Sequence, residues 1–299
     1  MKSLTLSAVI SFTAGSGILH AQLSDNSWPK AFSPAQMYAA WPASLAPADL
    51  LAWGIGRLRQ SEAPPALPVT GDYVHTRFDQ CRQFFPSAHM PIVPAATGLR
   101  ELCFSSFAIL HSGQTKTPVF VAQRLTRQSV AAAKEIDRND RFYAEARLPA
   151  AERADLADYR GSGYARGHMA PAGDMPHKEA MAQSFSLANM VPQHPLQNSG
   201  SWNRIEQDTR KYVRRAGGDV YIFTGPVYGP RPRVIGEGRV AVPDYIYKVV
   251  YDSSTGRSWV HWQANGPDAV AGPPITYAEF VRRTGLHLVP GPRAGAAIS

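Results

Sequence analysis

Short runs of β-branched and aromatic residues recur along this chain near turn signals, without a regular alternation of strand and helix. Leu102 to Leu110 and Pro118 to Arg124 are apolar, and the turn-prone His111-Ser112-Gly113-Gln114 between them predicts a hairpin-like pair. Tyr221 to Thr224, Tyr245 to Tyr251 and Trp259 to Trp262 are further runs, the last preceded by Ser253-Ser254-Thr255-Gly256. Parallel neighbours would need a long crossover between each pair, usually a helix, and that alternation is missing. The pattern therefore predicts an α+β domain on a mainly antiparallel sheet with flanking helices. Its clearest helix is Ser201 to Arg215, with Trp202, Ile205, Thr209, Tyr212 and Val213 on one face and Gly217-Gly218 beyond its end.

Four segments are expected. Residues 1–21 read as a signal peptide: Lys2 is followed by apolar Leu4 to Leu19, and Ala21 suits a cleavage site. Residues 22–70 are rich in Ala and Pro, with a helix marked by Leu51, Ile55 and Leu58 and a linker at Ala63 to Pro68. Residues 71–288 form the main domain, and 289–299 a small-residue tail expected to be disordered. The apolar leader is interrupted by Ala14 to Gly17, and no run of about 18 apolar residues follows it, so no membrane span is predicted. Export to the periplasm or the medium is the expected location. In an oxidising compartment Cys81 and Cys103 could close one disulfide loop, worth about 3 kcal/mol by the loop-entropy argument; two buried thiols are the alternative. Two cysteines outside any Cys-x-x-Cys pair cannot make an all-cysteine zinc site.

A formal charge of +8, from 31 Lys and Arg against 23 Asp and Glu, favours a polyanionic partner: nucleic acid, a phosphorylated ligand or anionic lipid. Gly161-Ser-Gly-Tyr-Ala-Arg-Gly167 has its third glycine one place late for a dinucleotide loop, and no Walker lysine follows. The serine-hydrolase G-x-S-x-G and the zinc-protease H-E-x-x-H are both missing from the sequence. His177 and His194 read as ordinary loop polarity.

Two segments remain. In Gly163-Tyr-Ala-Arg-Gly-His-Met-Ala-Pro171, Arg166 and His168 lie two apart, so an extended strand turns both to one side. An imidazole suits general-base work near neutrality, and a guanidinium can hold phosphate with two bonds. In Asn198-Ser-Gly-Ser-Trp-Asn-Arg-Ile-Glu-Gln-Asp-Thr-Arg210, residues 198, 202, 206 and 210 recur every four, each rotated by about 40° on a helix. A helix cap followed by a surface Glu–Arg pair would explain these residues singly. It would not explain why they follow an Arg-Gly-His strand.

Together the segments resemble the DNA/RNA non-specific endonucleases, the ββα-metal (His-Me finger) group that includes Serratia-type and endonuclease-G-like nucleases. Members carry Asp-Arg-Gly-His, then an Asn about thirty residues on, with Glu and Arg at +8 and +12 from it. Asp158-Tyr-Arg-Gly-Ser-Gly-Tyr164, Ala170-Pro171 with Asp174-Met175, Asn189-Met-Val-Pro-Gln193 and Thr224-Gly-Pro226 extend the likeness over roughly residues 73 to 285. The resemblance implies a ββα-metal core, DNA and RNA as substrates, and cleavage to 5′-phosphate ends. It implies Asn198 as ligand of Mg²⁺, with Mn²⁺ as an alternative, and His168 as the base that deprotonates water. Glu206 would hold metal-bound waters, Arg166 and Arg210 would stabilise charge on the phosphate, and Arg138 would bind substrate. An inhibitor protein and a second copy of the chain are further partners the resemblance allows. Ala165 stands where the family usually has Asp. That departure keeps one alternative in view, a catalytically weakened polyanion binder on the same fold; a secreted toxin nuclease using the same chemistry is another.

Overall fold

The computed structural model describes residues 63–69, 71–138 and 140–290. The leader, the helix expected near residues 49–59 and the chain after 290 lie outside the described residues. The strands are β1 (Tyr73–His75), β2 (Ile92–Pro94), β3 (Leu99–Cys103), β4 (Ala108–Ser112), β5 (Thr117–Leu125), β6 (Ala165–His168) and β7 (Met190–Gln193). They continue with β8 (Val220–Val227), β9 (Val234–Ile235), β10 (Val240–Ala241), β11 (Tyr245–Asp252) and β12 (Arg257–Ala264).

Six strands form one sheet in the order β12-β11-β8-β5-β4-β3, with every neighbouring pair antiparallel. The expected antiparallel α+β architecture is therefore what forms. One detail differs. Leu102 to Leu110, read as one strand, is two: the chain turns at Ser105-Ser106, closed by a Phe104 N–H to Phe107 carbonyl bond of 2.9 Å and by stacking of the two rings at 4.4 Å. An apolar run hides a turn when the residues flanking the turn are themselves buried aromatics.

The sheet is covered on both faces, and strand alternation sorts the residues between them. Phe120, Ala122, Tyr247 and Val249 enter one apolar cluster with Phe78, Phe85, Phe223 and Phe280. Their sequence neighbours Val121 and Ile246 enter another with Met169, Phe185, Trp202 and Ile205. Lys248, sharing the Ile246 side of β11, is thereby carried into the second layer, where it is buried. That layer contains the paired β6 and β7 and the helix Asn203–Val213.

Cys81 and Cys103 are disulfide-bonded, which settles the alternative left open by spacing alone. The Pro-rich run before β1 is partly seated: Leu67 is buried, its N–H donates to the Leu99 carbonyl, and the Pro64 carbonyl accepts from Arg100. At the other end Val289 packs in the core, and its N–H donates to the Tyr277 hydroxyl.

Candidate active site

β6 and β7 pair with His168 opposite Met190 and Gly167 opposite Val191. The segment between them is tied down by Asn189, which is fully buried. Its amide nitrogen donates to the carbonyls of Ala170 (2.9 Å) and Ser184 (2.8 Å), and its oxygen accepts from the Ala170 N–H at 2.8 Å. Asn265 does similar work at the corner after β7. It accepts from the His194 N–H and donates to the carbonyls of Pro192 and Pro243. Two buried side-chain amides thus fix the strand carrying His168 and the turn leading to Asn198.

His168 ends β6 and packs edge-on against Phe185, ring centroids 4.9 Å apart, and beside Phe142 at 5.7 Å. Its Nε2 is buried and has no hydrogen-bond partner among the described residues. Burial first, then the guanidiniums of Arg138 and Arg166, push its pKa down to about 3, against the opposing pull of Asp140. The imidazole is therefore neutral across the whole neutral range. Arg166 lies over the Phe142 ring at 4.0 Å and Arg138 over Phe185 at 5.3 Å. The two aromatic rings hold a guanidinium each, both facing the same imidazole. The strand thus turns Arg166 and His168 to one side, as the two-residue spacing predicts.

Asn198 opens a π-helical turn, Asn198–Trp202, that runs straight into the helix Asn203–Val213. Single π turns inside helices recur at functional sites. Here the wider turn rotates each residue by less than an α turn does, which offsets part of the roughly 40° drift per four residues between Asn198 and Glu206. The Asn198 side chain makes no hydrogen bond among the described residues, while its N–H donates to the His194 carbonyl. Trp202, fully buried, anchors the turn in the core.

Glu206 and Arg210 belong to a charged cluster on the same helix. Arg210 donates to Asp174 at 2.9 Å, with Asp174 buried. Lys248 donates to the Thr224 hydroxyl at 2.7 Å and lies over the Trp202 ring at 5.5 Å. Burial raises the Glu206 carboxyl to about 7, with Asp174 adding and Lys248 and Arg210 opposing. Burial also lowers Lys248, against the pull of Glu206 and Asp174.

A cage of carboxylates is not on offer here. Among the described residues no group of three or more His, Cys, Asp and Glu side chains could hold a metal ion. What the helix presents is one uncommitted amide, Asn198, and one carboxylate, Glu206, whose ionisation a cation would favour; Asp174 is already spent on Arg210. Such an oxygen-donor set fits a hard divalent ion that keeps most of its waters.

Sequence reasoning left three contributors aside. Lys248 has a visible signal, a lone charge inside an otherwise apolar strand. Asp174 was quoted within a motif, but its pairing with Arg210 is a tertiary fact. Asn265 carries no local signal at all. His177 and His194 keep structural positions: His177 Nδ1 accepts from the Ala180 N–H at the start of the helix Lys178–Ser184, and His194 precedes the helical turn Pro195–Gln197. Ala165 begins β6 and presents no carboxylate.

Comparison with known proteins gives the family of the chain. The family profile described as DNA/RNA non-specific endonuclease covers residues 87–279. The chain is 36% identical over 166 residues to the human mitochondrial nuclease EXOG, covering 52% of this chain and 44% of that protein. It is 33% identical over 218 residues to the mitochondrial endonuclease G of Bos taurus, covering 64% and 70%. Against the first relatives it matches, the chain spans somewhat less than half of their length. A solved structure of EndoG in complex with EndoGI, described as showing the mechanism of EndoG inhibition, superposes with a TM-score of 0.60 at 26% identity. That match covers 71% of this chain and 91% of that one.

Proposed function

The chain belongs to the DNA/RNA non-specific endonuclease family, and from that premise we propose that it is a divalent-metal-dependent nuclease hydrolysing DNA and RNA phosphodiesters to 5′-phosphate ends. The observation that carries this reading is the unpartnered, neutral His168 set between Arg138 and Arg166. A neutral imidazole can accept a proton from water. The two guanidiniums that depress its basicity are the groups a substrate phosphate would neutralise, so substrate binding raises its basicity when it is needed. Arg166 and Arg210 offset charge that grows on the reacting phosphate, and Asp174 orients Arg210 for that role. Asn198 would hold the metal, Mg²⁺ or Mn²⁺, with Glu206 holding its waters, and the ion would supply charge stabilisation at the phosphate and the departing oxygen. The buried Lys248, held by Thr224, favours the ionised form of Glu206. Water as nucleophile needs no ribose 2′-hydroxyl, so both sugars are accommodated.

The test is conversion of supercoiled plasmid and of RNA by purified protein. Cleavage of both is expected in millimolar Mg²⁺, with at least a hundredfold loss in excess chelator. Binding without cleavage in any divalent ion would sink the nuclease reading and favour a polyanion-binding member, for which Ala165 is the one specific observation. Cutting regained by Ala165→Asp would then identify the missing carboxylate as the cause.

We further place the protein in the periplasm or the medium. The apolar leader and the Cys81–Cys103 disulfide support this, since such bonds persist in oxidising compartments. Mass spectrometry of protein from fractionated cells is expected to find a chain starting at Gln22; an intact Met1 in the cytosolic fraction would overturn it. Among the described residues no helix is long and apolar enough to cross a membrane. A protein inhibitor is a reasonable partner to seek, because the EndoG relative has one, and self-association is a second.

A further inference from the structure

Beside the phosphate-facing edge of β6 lies a cavity of about 520 Å³ that the catalytic proposal does not use. Phe142, Tyr159, Arg160, Tyr164, Ala165 and Arg166 line it. No acidic residue does, and neither Arg160 nor Arg166 has an ion-pair partner among the described residues. Tyr159 is 94% buried (6% exposed), and its hydroxyl has no hydrogen-bond partner among the described residues.

The cavity wall is built, not incidental. Asp158 accepts from the N–H groups of Asp155 (2.8 Å) and Gly238 (2.7 Å), which fastens the helical turn Leu156–Tyr159 to the loop after β9. A Cβ on Gly236 or Gly238 would strike Asp158, so that contact depends on both glycines. The next loop is closed by Ser162: its hydroxyl donates to the Tyr159 carbonyl at 2.9 Å and accepts from the Tyr164 N–H at 3.2 Å. Gly161 and Gly163 take the left-handed φ of +68° and +79° that this tight loop needs. Tyr159, Arg160 and Tyr164 are thereby held in place before any ligand arrives. The alanine at 165 leaves the wall free of a carboxylate that would repel an anion.

We infer that this cavity is a second phosphate subsite, taking the backbone phosphate of the nucleotide next to the scissile bond. Arg160 and Arg166 supply the charge, and the rings of Phe142, Tyr159 and Tyr164 supply the wall beside them. The inference rests on the nuclease reading for its ligand, and Arg166 is shared between the two phosphates. The subsite reads backbone and no base edge, which suits a sequence-indifferent enzyme.

The experiment is fluorescence anisotropy of a labelled 12-nucleotide single strand in excess chelator, where no cleavage intervenes, over a salt series. Arg160→Ala is expected to weaken binding about 3- to 10-fold and to reduce the salt slope by roughly 0.7, the value for one lost contact to a single strand. Tyr159→Phe, which preserves the ring and removes only a hydroxyl closed off from the cavity, is expected to stay within twofold with the slope unchanged. Arg282→Ala removes an equal charge from the helix Tyr277–Thr284, outside the cavity, and is expected to stay within twofold. Binding within twofold of the parent in Arg160→Ala overturns the inference, as does an equal loss in Arg282→Ala or Tyr159→Phe. A parent chain that does not bind the probe overturns it too, while plasmid cleavage by the same sample would leave the nuclease reading standing. Conversely, salt-dependent loss in Arg160→Ala with no cleavage anywhere keeps the subsite and removes the enzyme.

Discussion

Replacing His168 by alanine is expected to lower the rate of phosphodiester cleavage by about 10²–10⁴-fold, the usual contribution of a positioned general base. The loss should fall on kcat with KM nearly unchanged, because a base acts on the proton in flight and not on the bound phosphate. Truncation also leaves space between Phe142 and Phe185, so His168→Asn serves as a second variant that fills part of it. Initial rates on plasmid at saturating metal make the comparison, and thermal melting checks that both variants fold. A rate within tenfold of the parent in either would remove His168 as the base. The pH profile separates His168 from its neighbour. With its pKa near 3, His168 in the free protein is already unprotonated at pH 5, and raising pH further gains nothing from it. Glu206, raised to about 7, is protonated below that value and anionic above it. At subsaturating metal, kcat/KM should therefore rise with pH toward 7 and beyond, and Glu206→Gln should flatten that rise. A rise that persists in Glu206→Gln would assign it to another group.

Much of this site could be read in the sequence because its geometry is local. Arg166 and His168 share a strand face by the period of two, and Asn198, Glu206 and Arg210 share a helix by recurrence at four. Local periodicity cannot show what lies across from them. Arg138 meets His168 only because its guanidinium lies over Phe185, which packs edge-on against Phe142 and His168, residues distant from it in the chain. Lys248 is delivered by a strand of the large sheet, and Asp174 meets Arg210 only once the segment after β6 has packed on the helix. The π turn at Asn198 was equally invisible, since Asn-Ser-Gly-Ser-Trp has no composition that distinguishes it from an ordinary helix start. The missed turn at Ser105-Ser106 has the opposite cause: the pattern was present but was outweighed by buried phenylalanines on both sides. The net charge of the chain, which first suggested a polyanion, says nothing of where an anion goes. Location comes from the acid-free wall of Arg160 and Arg166 and from the aromatic seats of Arg138 and Arg166.

Gly167→Ala is the substitution expected to do the most damage for its size. The residue stands between Arg166 and His168 on β6, opposite Val191, and is buried. A Cβ there would come within 1.9 Å of Gln193 Oε1 and 2.5 Å of Gln193 Cβ. A terminal oxygen could swing away, but the Cβ of Gln193 is fixed to its strand. Nor is the rest of that side chain free: Gln193 donates to Gln197, and Gln197 to Gln263, in a buried chain of amides with both bonds at 2.5 Å. Relief must come from separating β6 from β7, and that moves His168 and Arg166 together. Overpacking of this kind costs about 1–3 kcal/mol. For a domain of this size that is a drop in Tm of roughly 2–12 °C. The effect on catalysis should be larger than the effect on stability. Misplacement of a base by about 1 Å can cost on the order of 10²-fold, and here the base and a phosphate-binding arginine shift as one unit. The companion variant Gln193→Gly removes the obstructing Cβ along with the amide, so the double variant should regain part of the lost Tm. It should regain cleavage to the extent that β6 returns to its register with β7. Melting and plasmid cleavage on all three variants decide it. An unchanged Tm in Gly167→Ala, or no recovery in the double variant, would show that the glycine is not required by the crowding at Gln193.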